Sequence, residues 1–354
     1  EHTTGMSLRI MPKIAFPEWV ERLSAEYRVV GPKSKHGQYV FDEIHSADEL
    51  VIDYPTSVLP PKKYLLPPRE ELFQFSNQGL QITPSLETTP TVIMGLHTCD
   101  MHAIQLLDAV HNTGFADQHY QTRRENTYFV SIECLKPCMK ESFCKSMGTL
   151  NLPEDFDLHL TDLGDNYAID IGSEKGRKLI ESLDSVYQPT EDDYQRINRV
   201  MAEKWPRFEY RLDFDVSELP DVLNLSQRSS YWQELGNKCL ACGMCTKVCP
   251  TCYCFNVEDE VDLSGDKGTR NRVWDSCQID QFAEVAGGHN FRETRALRQK
   301  HRFMRKGKYQ YDAYGLIGCV GCGRCAAACL VDITPVDTFN ELHKRRKKGE
   351  RSEL

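Results

Sequence analysis

No apolar run in this sequence approaches the roughly 18 residues that a membrane-spanning helix requires. A helical membrane span is therefore excluded. The first residues also lack a basic stretch followed by an apolar one, the pattern of a secretory leader. Together these absences predict a soluble, cytoplasmic chain. There is no Gly-x-Gly-x-x-Gly and no P-loop, so neither a flavin nor a nicotinamide nucleotide is expected on this chain. There is no Gly-x-Ser-x-Gly and no nucleophile–base pair, so no site of substrate chemistry is visible. Low-complexity segments and nucleic-acid-binding modules are absent, and the net charge of −9 argues against a nucleic-acid partner.

What the sequence has is cysteine. Fifteen cysteines occur among 354 residues. Their number is odd and they fall in tight groups, which points to metal ligation and away from disulfides. The length allows two or three domains. Residues 1–185 read as an α/β domain. Thr91 to His97 and Thr127 to Ile132 have the composition of buried strands, and Met101 to His111 has helical periodicity. Phe156 to Leu160 and Tyr167 to Ile171 alternate about Asp162-Leu-Gly-Asp-Asn166, a hairpin signal, and Gly172-Ser173 marks the start of a helix to about Leu183. Asp53 to Pro68 is proline-rich and reads as an extended connection. Residues 186–230 are polar and mixed, a connecting segment. Residues 231–342 carry the cysteine motifs, with helix-like stretches Gln281 to Ala286 and Arg292 to Lys306 between them, and 343–354 form a basic tail. The expected fold is α+β and multidomain: an N-terminal α/β domain followed by a mainly helical two-cluster ferredoxin domain.

The chemistry lies first in a repeated motif. Cys239-x-x-Cys242-x-x-Cys245-x-x-x-Cys249-Pro250 is followed by Cys319-x-x-Cys322-x-x-Cys325-x-x-x-Cys329. A thiolate at every third residue of a loop can wrap three corners of an iron–sulfur cubane. The fourth cysteine, expected on the outgoing helix, reaches the other cluster. Cys239, Cys242, Cys245 and Cys329 are thus assigned to one [4Fe–4S] cluster, and Cys319, Cys322, Cys325 and Cys249 to a second. Gly243, Gly321 and Gly323 are expected to let the backbone approach the cluster sulfides. Structural zinc favours paired Cys-x-x-Cys knuckles, which this pattern is not. Leu330 stands where proline usually follows the last cysteine; no ligand is lost by that.

A third group is Cys99, Cys134, Cys138 and Cys144. Cys99 and Cys134 each follow a predicted strand. In a parallel sheet both would open on the same carboxyl edge, where α/β sites form. Four thiolates there would suit a third [4Fe–4S] cluster; the alternative is a set of small buried hydrophobes. Cys252, Cys254 and Cys277 remain, with three readings: thiols beside a cluster that tune it, a donor completing the third site, or core packing. From Arg270 to Lys308 basic residues dominate, including Arg295, Arg298, Arg302 and Lys306. They read either as a solvated face or as charges offsetting anionic clusters or an acidic partner.

The stretch CLACGMCTKVCPTCYCFN from Cys239, then Trp274-Asp-Ser-Cys277, Ala286-Gly-Gly-His-Asn-Phe-Arg292 and CVGCGRC at 319–325 resembles the iron–sulfur beta subunits of cytoplasmic sulfhydrogenases. It is equally similar to the corresponding iron–sulfur subunits of anaerobic sulfite reductases. Cys99-Asp100, Arg123-Arg124-Glu125, Glu133-Cys134 and Cys144-x-Ser146-Met-Gly-Thr149 agree with this. The departure is that the family's cysteine two before position 144 is Ser142 here, while a cysteine stands at 138. The resemblance implies an electron relay working beside a flavin- and NAD(P)-binding subunit with its own [2Fe–2S] cluster. It places terminal chemistry on a hydrogenase or sulfite reductase subunit. The alternative function class is a free-standing reductase acting at the N-terminal cysteine site.

Overall fold

The computed structural model describes residues 7–77 and 81–348. Its N-terminal half is built on a seven-stranded sheet. In chain order the elements are β1 (Ser7–Pro12), α1 (Phe16–Glu26), β2 (Arg28–Lys35), β3 (Gln38–Glu43), β4 (Arg69–Ser76) and β5 (Gln81–Pro84). Then come β6 (Thr91–His97), α2 (Thr98–Asn112), α3 (Gln118–Glu125), β7 (Thr127–Ile132), β8 (Leu158–Asp162), β9 (Asn166–Ile171), α4 (Glu174–Ile180) and α5 (Glu191–Lys204). The large sheet runs β1-β9-β8-β7-β6-β2-β3, with β8, β7, β6 and β2 parallel to one another and the outer pairings antiparallel. Every residue of β6 is buried, as expected of a central parallel strand covered on both faces. The hairpin read from the sequence is β8 and β9, paired from Leu158↔Ile171 to Asp162↔Tyr167. Ser173 caps α4 as expected, its side chain accepting from Gly176 N, but the helix ends at Ile180.

Gly95 interrupts β6. Its φ of +78° and a shift in register against β7 between Met94 and Leu96 make a bulge that re-aims the strand end. A Cβ at Gly95 would lie 3.0 Å from Pro32 of β2. The last strand residue, His97, leads directly into α2, so Cys99 sits in the first helical turn.

The segment 186–230 is more structured than its polarity suggests. α5 opens with a capping box between Thr190 and Asp193. Its last residue, Lys204, is wholly buried, donating to Glu133 Oε1 at 2.7 Å and to the Leu150 carbonyl at 3.0 Å. α6 (Leu219–Leu225) buries Leu219, Val222 and Leu223, each worth about 1.5–3 kcal/mol relative to exposure.

The C-terminal half continues with α7 (Tyr231–Lys238), α8 (Met244–Lys247), β10 (Phe255–Val261), β11 (Lys267–Trp274), α9 (Arg295–Met304), α10 (Gln310–Tyr314), α11 (Arg324–Ala327) and α12 (Pro335–Lys347). The stretch expected to be helical from Arg292 is α9, followed by a π-helical segment at Arg305–Tyr309. The stretch at Gln281 is only a 3-10 turn, Asp280–Ala283. The region between the motifs is also less helical than expected, because β10 and β11 form a long hairpin. It joins β4 and β5 in a second sheet, ordered β10-β11-β4-β5, that ties the two halves together. Of the basic tail, residues 343–348 are described; Lys344 to Lys347 form the last turn of α12, where cations suit the helix dipole. The remainder lies outside the described residues.

Candidate metal centres

Both repeated motifs adopt the same backbone. In the first, Ala241 and Gly243 have φ of 55° and 77°; in the second, Gly321 and Gly323 have φ of 67° and 79°. Each loop then enters a one-turn helix, α8 or α11, that carries Cys245 or Cys325. Cys249 and Cys329 lie just beyond these helices, in the following turn, and not on them as expected. α8 and α11 pack against one another. One cavity is lined by Cys239, Cys242, Cys245 and Cys329. A second is lined by Cys319, Cys322, Cys325 and Cys249, with Cys245 in its wall. The sulfurs are thus brought together in the two crossed sets that the spacing suggests.

The donor set suits an iron–sulfur cluster in each cavity. Backbone amides point at two of these sulfurs: Ala241 N donates to Cys239 Sγ and Ile333 N to Cys329 Sγ, both at 3.3 Å. Burial pushes the Cys322 thiol up to about 12 and that of Cys325 up to about 11. Such thiols are inert by themselves and need a metal charge to become thiolates. Cations stand ready. Arg302 and Lys306 are buried, and Lys306 donates to Thr251 Oγ1 at 2.7 Å beside Cys249. Buried Lys62 donates to the Cys252 carbonyl. The basic run therefore divides. Arg302 and Lys306 face sulfur, whereas Arg270 pairs with Asp259, Arg272 with Glu70 and Asp117, and Arg298 with Asp280.

Two of the motif glycines also seat protein backbone. A Cβ on Gly321 would lie 2.7 Å from the backbone of Cys144, and one on Gly323 would lie 2.8 Å from that of Glu141. The second motif is thus pressed against the loop carrying the third cysteine group. Phe143 N donates to the Gly321 carbonyl at 2.8 Å, and Thr149 Oγ1 to the Val320 carbonyl at 2.6 Å. Phe143 and Met147 enter the apolar core of the C-terminal half. A Cβ on Gly243, in the first motif, would instead lie 3.1 Å from the Ser276 side chain.

Cys99, Cys134, Cys138 and Cys144 do converge at the carboxyl edge of β6 and β7. Cys138 has Cys134, Cys99 and Cys144 as electrostatic neighbours, while Cys99 and Cys144 also face Cys322. Burial pushes the Cys144 thiol up to about 12. Ser142, at the family's cysteine position, is buried and its hydroxyl has no hydrogen-bond partner among the described residues. A buried ion pair spans the junction: Arg324 Nη1 and Nη2 donate to Asp100 Oδ1 and Oδ2 at 2.7 and 2.9 Å. It joins the helix after Cys322 to the residue after Cys99.

Sequence reasoning missed His97. Its Nδ1 lies 3.5 Å from Cys138 Sγ, and the two, with Cys134, place their ligand atoms within 4.8 Å of one another. The ring stacks on Tyr54 at 4.5 Å, and Tyr54 Oη donates to the Gly95 carbonyl at 2.7 Å. The available signal was the glycine inside an apolar strand. His97, Cys134 and Cys138 line an open cleft together with Tyr54, Lys136 and Arg207. Cys99 and Cys144 do not line this cleft; they lie between Cys134 and Cys322 of the second motif.

Cys252, Cys254 and Cys277 group with the first motif. Cys252 lies against Cys249, and Cys254 against Cys277, which in turn has Cys245 as a neighbour. A hydrogen bond from Cys277 lowers the Cys254 thiol to about 6. Trp274 donates to the Leu66 carbonyl at 3.0 Å and carries Lys62 over its ring, while His289 stacks edgewise on Phe291. Among the described residues no helix is long and apolar enough to cross a membrane.

A 4Fe-4S dicluster domain family matches residues 238–333. The chain is 36% identical over 299 residues to sulfhydrogenase 2 subunit beta of Pyrococcus furiosus, covering 84% of this chain and 87% of that one. It is 30% identical over 108 residues to the F420-dependent formate dehydrogenase subunit beta of Methanocaldococcus jannaschii, covering 28% of this chain and 26% of that one. No solved structure matches. The chain belongs to the family of sulfhydrogenase beta subunits and is an iron–sulfur electron-transfer protein of that type.

Proposed function

We propose that this chain is the relay of a cytoplasmic oxidoreductase complex, holding three [4Fe–4S] clusters in a row. Cys239, Cys242, Cys245 and Cys329 hold the first. Cys319, Cys322, Cys325 and Cys249 hold the second, and Cys99, Cys134, Cys138 and Cys144 the third. Each cluster supplies one-electron transfer. The observation that carries the reading is adjacency. Cys245 lines the wall between the first two cavities, and Cys322 faces Cys99 and Cys144 of the third group. Between the second and third groups lie the Arg324–Asp100 pair and a thin apolar contact of Cys99 and Cys322 with Ala103 and Val320.

The electron partners are a flavin- and NAD(P)-binding subunit carrying its own [2Fe–2S] cluster and a terminal subunit of the hydrogenase or sulfite reductase type. Cys252, Cys254 and Cys277 lie beside the ligands and shape their surroundings. Anaerobic purification tests the reading. About twelve iron and a matching amount of acid-labile sulfide per chain are expected, four iron for each cluster, with a flavoprotein co-purifying. Cys249→Ala should cost the signal of the cluster held by Cys319, Cys322 and Cys325. Loss of only the other motif's signal, or stoichiometric zinc with little sulfide, would overturn it. A second reading, reduction of a substrate at the third group, is favoured by the open cleft at His97, Cys134 and Cys138. Turnover by the isolated chain would decide for it.

A further inference from the structure

A single cation stands in the wall between the two ferredoxin-motif cavities. Arg302, on α9, is buried and lines both of them. Its guanidinium has Cys245, Cys325 and Cys249 as neighbours. The other buried arginines of this region, Arg298 and Arg324, are each paired with an aspartate. Among the described residues Arg302 makes no ion pair with a carboxylate; outside the sulfurs it donates to Gln299 Oε1, at 3.5 Å. A buried charge without a counter-charge is costly. The sulfurs facing Arg302 therefore have to carry the compensating negative charge, as thiolates on a metal cluster do.

The same helix sorts its neighbours. Gln299 and Arg302 lie one turn apart on one face, and Lys306 follows a turn later. Gln299 lines only the Cys239 cavity and donates to Cys239 Sγ at 2.8 Å. Lys306 lines only the Cys319 cavity. Arg302 alone of the three belongs to both.

From this arrangement, and resting on the cluster assignment above, we propose that Arg302 is a positioning residue that sets the reduction potentials of both ferredoxin-motif clusters together. Adding an electron adds negative charge, and a fixed cation nearby stabilises the reduced form. Solvent ions screen a buried charge far less than an exposed one. The Cys239 cluster depends on Arg302 more heavily, because its cavity has no other charged lining residue. The Cys319 cluster also has Lys306.

The test is a redox titration of the anaerobically purified holoprotein, followed by electron paramagnetic resonance, with iron and sulfide measured on each variant. Arg302→Met should lower both midpoint potentials, the Cys239 cluster's by more. Gln299→Leu should move only the Cys239 cluster, and Lys306→Met only the Cys319 cluster. Arg302→Lys, which keeps the charge, should stay near wild type; if Arg302→Met does not fold, Arg302→Gln, which also removes the charge, takes its place, with both potentials again lowered. With iron intact, a change at one cluster alone, or none, in the charge-removing variant overturns the proposal. Wild-type protein without two such clusters would instead overturn the assignment beneath it.

Discussion

The second motif and the third cysteine group hold their sulfurs by opposite means. Cys319, Cys322 and Cys325 come from one short loop whose spacing suffices to gather them. Cys99, Cys134, Cys138 and Cys144 come from the start of a helix, the end of a strand and a long loop, and only the sheet brings them together. A local site survives whatever happens to its neighbours, whereas an assembled one is only as good as the contacts that fix its parts. Here those contacts are made largely with the second motif. Gly321 seats the Cys144 backbone, Arg324 clamps Asp100, and Phe143 enters the C-terminal core.

The comparison breaks most visibly at the clamp. The Arg324 and Asp100 side chains are 2% and 1% exposed. Arg324→Met leaves a buried carboxylate without its partner, a change that costs about 3–5 kcal/mol. Denaturant unfolding of the holoprotein should show that loss, with the iron of the third group released first. Arg345→Met is the control: its partners Glu234 and Glu341 are 54% and 30% exposed, and such pairs contribute about 0–1 kcal/mol each. Equal effects from the two substitutions would mean that the junction is not clamped.

Gly321→Ala sharpens the same point. A non-glycine residue at positive φ costs about 1–2 kcal/mol, and forcing a methyl against the Cys144 backbone adds about 1–3 kcal/mol. Thermal or denaturant unfolding should report about 2–5 kcal/mol in all. The damage should appear at the third group, although Gly321 belongs to the second motif. If the third group keeps its iron, the pressed loop is not what holds Cys144.

These contacts mark where the sequence stopped being legible. Spacing alone indicated the two crossed sets, because chelation by a loop is a local matter. The strands Thr91 to His97 and Thr127 to Ile132 were readable from their apolar runs, and Cys99 and Cys134 from their position after them. Gly321 looked like a residue making room for a cluster; that it makes room for Cys144 depends on residues far away in the chain. The hairpin β10–β11 went unread because both strands are rich in polar residues, β10 is exposed along its whole length, and the pairing with β4 is long-range. Arg302 stood among ten basic residues between Arg270 and Lys308, and nothing local distinguishes the one that faces sulfur from those that face carboxylates. His97 was hidden likewise, because it is the bulge at Gly95 that aims it.

The smallest effect is expected at the equivalent position of the first motif. Ala241 occupies the place of Gly321, two residues after the first cysteine, and has nearly the same backbone, with φ of 55° against 67°. It is half-buried, and the same loop's Gly243 has as its nearest neighbours the side chains of Ser276 and Ile279, where Gly321 meets the Cys144 backbone. Alanine therefore fits at this position with only its conformational strain, about 1–2 kcal/mol. Ala241→Gly would relieve that strain, while the added freedom of the unfolded chain would take back about 0.5–1 kcal/mol. The balance is a gain of about 0–1.5 kcal/mol in unfolding free energy, with both ferredoxin-motif clusters retained. The same exchange of one methyl group, made in opposite directions at two matched positions, should thus give a small gain in one motif and a large loss in the other. A large loss from Ala241→Gly would show that the first motif too is braced through that methyl, and the contrast between a free loop and a pressed one would fall.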